Sequence, residues 1–486
     1  MTHKFRILFS AFVFSVVSAK GQDLAGCLQQ GSTKDTIVLP SSLDYEAAAH
    51  DTFNQRLLYS PAAVVYPTTA QDVQRYVRCA AASGTAVAAR SGGHSYASYD
   101  IGGADGALVV DLSNMTSVVV DDEGTAYVQT GNRLAGLAQK LWDQGQRSVP
   151  HGFVGSVGTG GHISFGGMGA WSRLHGLAQD RVIAAEVVLA NGTLTTVSQT
   201  NHPKLFWAIR GAAPSFGIVT QWIMATLPTT PSVITYTISY DVLTSTQISH
   251  IFQLWQATVA SAPDEFWFAA RLTRDTDVSE NPMLQLRGIY FGTYESFNTY
   301  TANWTSLFSP GNLVSQAHDW YGGIIEPVVS TSPLLRLNLF AKSLMTNESI
   351  APNRWDSMCD YAVSAGINAS VSWWFETVSY GGAIARQGAD ATAFANRDAL
   401  FSYQWWGYAP SNTTLPSDVI PFLDGMLEAL ETNPTKAYPN YVDPTLSPDE
   451  WKQQYYGTHY GRLTKIKSAV DPNNVFRFAQ SIELAE

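Results

Sequence analysis

The sequence predicts an α+β protein built of two unlike parts, and three observations predict it. Up to about residue 230, short apolar runs alternate with helical stretches and are punctuated by glycine. Beyond Pro231 the runs lengthen and alternate apolar with polar residues, the period of an antiparallel sheet with one covered face. Hydrophobic residues fill 45% of the 486 positions and charged residues only 14%, enough apolar matter for a large core and too little charge for wholesale disorder.

The first residues stand outside the fold. Lys4 and Arg6 precede an apolar run over 7–17, and Val17-Ser18-Ala19 supplies the small residues a signal peptidase requires. That run is shorter than the roughly 18 apolar residues of a membrane span, and no later stretch reaches that length. Residues 1–19 are therefore read as a signal peptide and the mature chain as secreted, with no membrane association. Sequons at Asn114, Asn191, Asn303, Asn347, Asn368 and Asn412 agree with export. Three cysteines leave two readings open. Cys27 and Cys79 form a disulfide tying the N-terminus to a helix, or all three, with Cys359, are buried thiols. No two have metal-ligand spacing, so no metal is expected.

A helix is predicted over 70–83, with a Thr69 cap and a stop at Gly84. A strand over 85–89 leads into Arg90-Ser91-Gly92-Gly93-His94-Ser95, and a second helix covers 132–143. Strands 182–190 and 193–197 are joined by Asn191-Gly192, a hairpin-turn signal. In the second part, strands 233–240 and 284–291 are separated by an amphipathic helix over 246–260. A formal net charge of −11 removes any general attraction for nucleic acid, and no basic run reverses it. Electrostatics alone favour a neutral or cationic small substrate.

Two glycine-rich segments carry the chemistry. One is Arg90 to Tyr96. The other, residues 151–169, contains Gly152, Gly155, Gly158, Gly160, Gly161, Gly166, Gly167 and Gly169. Glycine lets backbone N–H groups approach a ligand closely, and consecutive N–H groups form a nest for phosphate oxygens. Neither loop fits a Rossmann fingerprint or a phosphate loop ending in Gly-Lys-Ser/Thr. Turn-rich packing accounts for one such loop; two in one domain point to a diphosphate ligand.

On four motifs the chain resembles the vanillyl-alcohol oxidase/p-cresol methylhydroxylase (PCMH) flavoprotein superfamily. These are Arg90-Ser91-Gly92-Gly93-His94-Ser95-Tyr96, His151-Gly152 through His175-Gly176-Leu177, Arg210-Gly211 through Phe216-Gly217-Ile218-Val219, and Asp471-Pro472-Asn473. The similarity is greatest to the berberine-bridge-like branch and its glucooligosaccharide-oxidase-type carbohydrate oxidases, and it spans nearly the whole mature chain. It implies a two-part FAD-binding domain of PCMH type, residues 20–230 and a returning segment 436–486. Between them lies an inserted substrate domain, residues 231–435, on an antiparallel sheet backed by helices. The resemblance makes His94 the residue bonded to the flavin 8α-methyl carbon, a role that suits a neutral, nucleophilic imidazole. Around the cofactor it places Arg90, Ser91, Gly92, Gly93, Ser95, Val157, Gly158, Gly160, Gly161, His162, Gly176, Ile218, Val219 and Tyr456. Many relatives form a second link through a cysteine where this chain has Val154, so FAD bound by one link is expected. Val157 is compatible with oxygen access, or is simply packing.

Tyr441 matches the family's catalytic tyrosine, which takes a hydroxyl proton as hydride leaves; Tyr438 is a weaker substitute. An unperturbed phenol titrates near pH 10, so Tyr441 requires a neighbour's help. Tyr96 and Gln404 match substrate-lining positions. Trp373-Trp374-Phe375-Glu376 and Tyr403-Gln404-Trp405-Trp406 read as adjacent strands, either ordinary β-core or the wall of a sugar groove. The family's assisting carboxylate falls at Val378, with Glu376 the nearest acid. His459 stands where relatives have Asn.

The function this implies is oxidation of an oligosaccharide at its anomeric hydroxyl to a lactone by a monomeric enzyme, with oxygen or a quinone-like electron acceptor. Oxidation of a small aromatic or secondary-metabolite alcohol is the alternative. A flavin-free carbohydrate-binding protein on the same scaffold is a third reading, opposed by the retention of His94, both loops and Tyr441.

Overall fold

The computed structural model describes residues 23–30, 36–275 and 281–486. The signal-peptide stretch 1–19 lies outside the described residues. A four-stranded sheet opens the fold in the order β1 (Ile37–Val38), β2 (Ala63–Val65), β4 (Leu108–Asp111), β3 (Val87–Arg90). β2, β4 and β3 run parallel, and β1 is antiparallel to β2. Helix Ala70–Ser83 joins β2 to β3. Thr69 and Asp72 form a capping box at its start, and Gly84 ends it at φ 71°. The strand expected over 85–89 starts at Val87 because the Thr85 amide still bonds to the Ala80 carbonyl of that helix end. Cys27, on helix Leu24–Gln29, is bonded to Cys79 on this helix, while Cys359 is a buried free thiol.

A five-stranded antiparallel sheet follows: β5 (Val118–Val120), β6 (Thr125–Gln129), β10 (Ile218–Ala225), β8 (Val182–Val188), β9 (Leu194–Ser198). Asn191-Gly192 turns β8 into β9, with Gly192 at φ 74°. A short pair, β7 (Arg147–Ser148) with β11 (Leu227–Pro228), lies at its margin. The helix expected over 132–143 begins at Leu134. Its first amides are taken by the second glycine loop: Leu134 N donates to the Val157 carbonyl at 2.9 Å and Ala135 N to that of Gly155 at 3.1 Å.

The second part is a seven-stranded antiparallel sheet. Its order is β15 (Asn312–His318), β12 (Val233–Ser239), β14 (Met283–Tyr290), β13 (Phe266–Arg274), β17 (Ser372–Ser379), β18 (Phe401–Pro410), β16 (Leu337–Thr346). Helices Ser245–Ser261, Pro352–Ser364 and Val419–Leu430 cover one face. Phe268, Trp373, Phe375, Tyr403 and Trp405 pack there against Phe252, Trp355, Met358, Leu423 and Met426. Side chains alternate across a sheet, so Trp374, Glu376, Gln404 and Trp406 turn to the opposite face. The odd-numbered aromatics are thus β-core, and the even-numbered residues belong to the face the helices leave uncovered.

The C-terminal segment packs on the first part. Leu463 and Ile466 of helix Tyr460–Val470 share a core with Leu205 and Ile209 of helix Pro203–Ala212. In the Asp471-Pro472-Asn473 motif, fully buried Asp471 pairs with Lys467 at 2.6 Å and accepts the Val475 and Phe476 amides. Among the described residues, no helix is long and apolar enough to cross a membrane.

Candidate active site

A cavity of about 800 Å³ runs from the two glycine loops to the uncovered face of the seven-stranded sheet. The loops meet backbone to backbone. A Cβ on Gly92 would lie 2.3 Å from the Gly158 nitrogen, and one on Gly158 would lie 2.1 Å from the Gly92 nitrogen. No other residue permits that approach. Ser91 Oγ secures the junction, donating to the Thr130 carbonyl at 2.6 Å and accepting the Gly160 amide at 3.1 Å. A Cβ on Gly161 would meet nothing within 4 Å, so the missing side chain widens the cavity.

His94 faces this space. Its ring stacks on Phe53 at 4.0 Å and 17°, and Nε2 lies 3.2 Å from Ser156 Oγ. Burial, reinforced by Arg133, pushes its pKa down to about 3, so the imidazole is neutral at physiological pH. His162 is held neutral in the same way, by burial and then His151, and its Nε2 accepts the Gly152 amide. Ser91, Gly92, Gly93, Ser95, Val157, Gly158, Gly160, Gly161, Val219 and Tyr456 also line the cavity, as does Val154. Three expected residues do not. Arg90 is buried beneath the loop, paired with Asp111 and bonded to the Ala48 carbonyl. Gly176 ends helix Ser172–His175 at φ 83°, where a Cβ would meet Asp180 Oδ2 at 2.9 Å. Ile218 belongs to a separate core with Leu108 and Val110. Each shapes the site from outside.

Tyr441 lines the same cavity, its ring parallel to Tyr96 within 6° at 6.0 Å and edge-on to Tyr438 at 4.9 Å. Burial above all, then Tyr96, Tyr438 and Glu376, holds its phenol well above the ordinary tyrosine range, while Arg271 opposes them. Tyr438 is otherwise engaged: its hydroxyl bonds to the Gly167 and Met168 amides and to Asn440 Nδ2. Gln404 Nε2 donates to Tyr96 Oη at 3.0 Å. Across β18, β17 and β13 run the paired positions Gln404, Glu376 and Arg271. Glu376 Oε1 accepts Arg271 Nε at 3.0 Å and Arg287 Nη2 at 2.6 Å. Burial works against its ionisation, yet Arg287 and Arg271 together keep it below the usual carboxylate range. Val378 occupies the next position on this face and carries no acid. His459 stays out of the cavity. Its ring nitrogens engage the Ala393 carbonyl and Asp390, holding residues 389–393 to the C-terminal segment.

The sequence reading missed Phe53, Ser156, Arg271 and Arg287. The two arginines had one signal, cationic residues at alternating positions of otherwise apolar strands.

The residues present fit a large polar ligand. Tyr99 Oη, Asp100 Oδ2, Thr130 Oγ1 and Gln480 Oε1 are buried at the cavity wall with no hydrogen-bond partner among the described residues. An FAD binding domain family matches residues 61–198, and a family described as berberine and berberine like matches residues 437–483. A xylooligosaccharide oxidase of Thermothelomyces thermophilus is 34% identical over 493 residues, 96% of each chain. A solved chitooligosaccharide oxidase superposes with a TM-score of 0.88 at 29% identity, over 95% of this chain and 100% of that one. A solved glucooligosaccharide oxidase from Acremonium strictum, with a 6-S-cysteinyl, 8α-N1-histidyl FAD, gives 0.86 at 29% identity over 96% and 100%. The chain belongs to the berberine-bridge-like FAD-linked oxidoreductases of the PCMH-type superfamily. It is an FAD-linked oxidoreductase.

Proposed function

We propose that this protein oxidises oligosaccharides at the anomeric carbon. The observation that carries the reading is the placing of Tyr441. It stands between the glycine loops and a sheet face bearing Gln404, Glu376 and the stacked pair Trp374 and Trp406, whose rings lie 4.9 Å apart. Aromatic planes suit the apolar faces of a pyranose, and polar groups suit its hydroxyl edges.

Bound FAD would supply the acceptor for hydride from C1, passing electrons on to oxygen or a quinone-like acceptor. Tyr441 Oη, in its phenolate form, takes the C1 hydroxyl proton as hydride leaves C1, giving a lactone that opens in water to an aldonic acid. Tyr96 and Tyr438 fix the Tyr441 ring, and Arg271 favours its ionised form. His94 would hold the cofactor by a single covalent link, since Val154 carries no sulfur. Backbone amides of the two glycine loops would hold its diphosphate.

The division into a FAD domain (20–230 and 436–486) and an inserted substrate domain (231–435) is supported by the sheets: β1–β11 precede Val233, and the seven-stranded sheet begins there. Export as a glycoprotein is supported by the six sequon asparagines, all of them exposed. The relatives named as oligosaccharide oxidases supply the substrate class.

The test is anaerobic addition of cello-, xylo-, malto- and chito-oligosaccharides to the purified holoenzyme. One series should bleach the flavin band, and Tyr441→Phe should slow that bleaching by about 10²- to 10⁴-fold while dithionite still reduces the flavin. Failure of every sugar with a dithionite-reducible flavin would replace this reading by an aromatic or secondary-metabolite alcohol.

A further inference from the structure

We infer that the preferred substrate is an acidic oligosaccharide whose carboxylate, on a sugar ring near the reacting unit, is bound by Arg271 and Arg287. This rests on the sugar-oxidation reading and adds the chemistry of the group recognised.

Three neighbouring strands put the arginines there. Arg271 on β13 lies directly opposite Glu376 on β17, and Arg287 on β14 is paired with Ala269, two residues along the same face of β13. Both guanidiniums line the cavity. Carboxylates on the cavity wall are only two among the described residues, Glu376 and Asp100. Asp100 belongs to the glycine-loop end, where it accepts from Thr52. The sheet end therefore holds two cations against one anion. This reverses locally the bias of a chain whose formal net charge is −11.

Confining two guanidiniums in a cavity is costly unless each finds partners. A single oxygen, Glu376 Oε1, serves both. Arg287 Nε is buried without a partner, and Arg271 is bonded to Glu376 through Nε alone among the described residues. The fork donors of Arg271 are thus uncommitted, and its plane is fixed 4.5 Å above the Trp374 ring. Trp374 in turn stacks on Trp406, so the cation sits at the edge of the aromatic platform proposed for the sugar rings. A neutral sugar needs donors and acceptors of the Gln404 kind. A planar, preoriented fork with an excess positive charge matches a carboxylate.

The experiment uses the wild-type holoenzyme in anaerobic stopped flow at low ionic strength. Neutral xylo-oligosaccharides are compared with the same oligomers carrying glucuronic acid, and cello-oligosaccharides with oligogalacturonides. At least one acidic series should reduce the flavin about tenfold more efficiently than its neutral partner, an advantage shrinking as salt is raised. Arg287→Gln should bring the acidic-to-neutral ratio towards one, and Arg287→Lys should restore part of it. Neutral sugars reacting as efficiently as acidic ones in the wild type would overturn the inference and leave sugar oxidation standing. Bleaching by neither, with dithionite still effective, would remove both. The wild-type ratio decides even if a variant loses its flavin.

Discussion

To act as a nucleophile His94 needs a neutral ring, and its surroundings supply one. Burial and Arg133 depress its pKa to about 3. A depressed histidine pKa means the ring remains neutral as pH falls through 6.5, where a free imidazole becomes charged. Ser156 engages Nε2 and Phe53 stacks against the ring, which together fix its orientation. Two results follow for flavin-free protein mixed with FAD. Covalent incorporation should proceed at the same rate from about pH 5 to pH 8. Ser156→Ala should slow it by about tenfold, the worth of one hydrogen bond, without lowering total bound flavin. Acid-precipitable flavin fluorescence against time reads both. A rate that falls with the titration of free imidazole would mean that the ring is open to water, and an unchanged rate in the variant would free Ser156 of this role.

At the scale of elements, the junction of the glycine loops is a contact that only glycine permits. Gly158→Ala puts a methyl 2.1 Å from the Gly92 nitrogen and 2.5 Å from Ser91 Oγ, so the loops must part. We expect a loss of about 1–3 kcal/mol together with most of the bound flavin. Thermal melting and the flavin-to-protein absorbance ratio would report these, and a fully flavinylated variant of normal stability would show that the contact is dispensable. Gly161→Ala, which meets no atom within 4 Å, serves as the control for stability. These loops were legible in the sequence because a requirement for glycine leaves a local mark, and the helix starting at Ala70 was legible through its capping box. Tyr441 and His94 stood out through motif resemblance. Arg271 and Arg287 did not, because strand alternation tells which residues share a face but not which strand lies beside it. Arg271 meets Glu376 across a separation of 105 residues, a pairing set by sheet order. Arg90, Gly176 and Ile218 were placed on the cofactor because their motifs adjoin it; burial then assigns them to the framework.

For the whole molecule, the question is what holds Tyr441, on the C-terminal segment, in register with a sheet and two loops from elsewhere in the chain. Asp443, two residues further on, is the anchor. Its amide donates to Tyr455 Oη, its carbonyl accepts Gln480 Nε2, and its carboxylate accepts Thr445 N and Oγ1. Lys342, on the edge strand β16, reaches the same carboxylate at 2.8 Å and Asp424 of helix Val419–Leu430 at 2.7 Å. Burial alone would lower the Lys342 pKa; Asp443 and Asp424 outweigh it and raise the pKa above the ordinary lysine value. The sign follows: the clamp is intact through the neutral range and weakens only as pH climbs past about 10. Lys342→Met strands Asp443, buried, without its counter-charge, an arrangement that costs about 3–5 kcal/mol. Slackening that anchor frees the Tyr441 loop while leaving His94 and the glycine loops in place. The variant should therefore keep its bound flavin and its reduction by dithionite, lose thermal stability, and reduce its flavin with substrate about tenfold more slowly. Lys342→Arg should recover most of both losses. If Lys342→Met melts earlier but turns over substrate at the wild-type rate, the segment is positioned by Tyr455 and Gln480 alone, and the ion pair serves stability only.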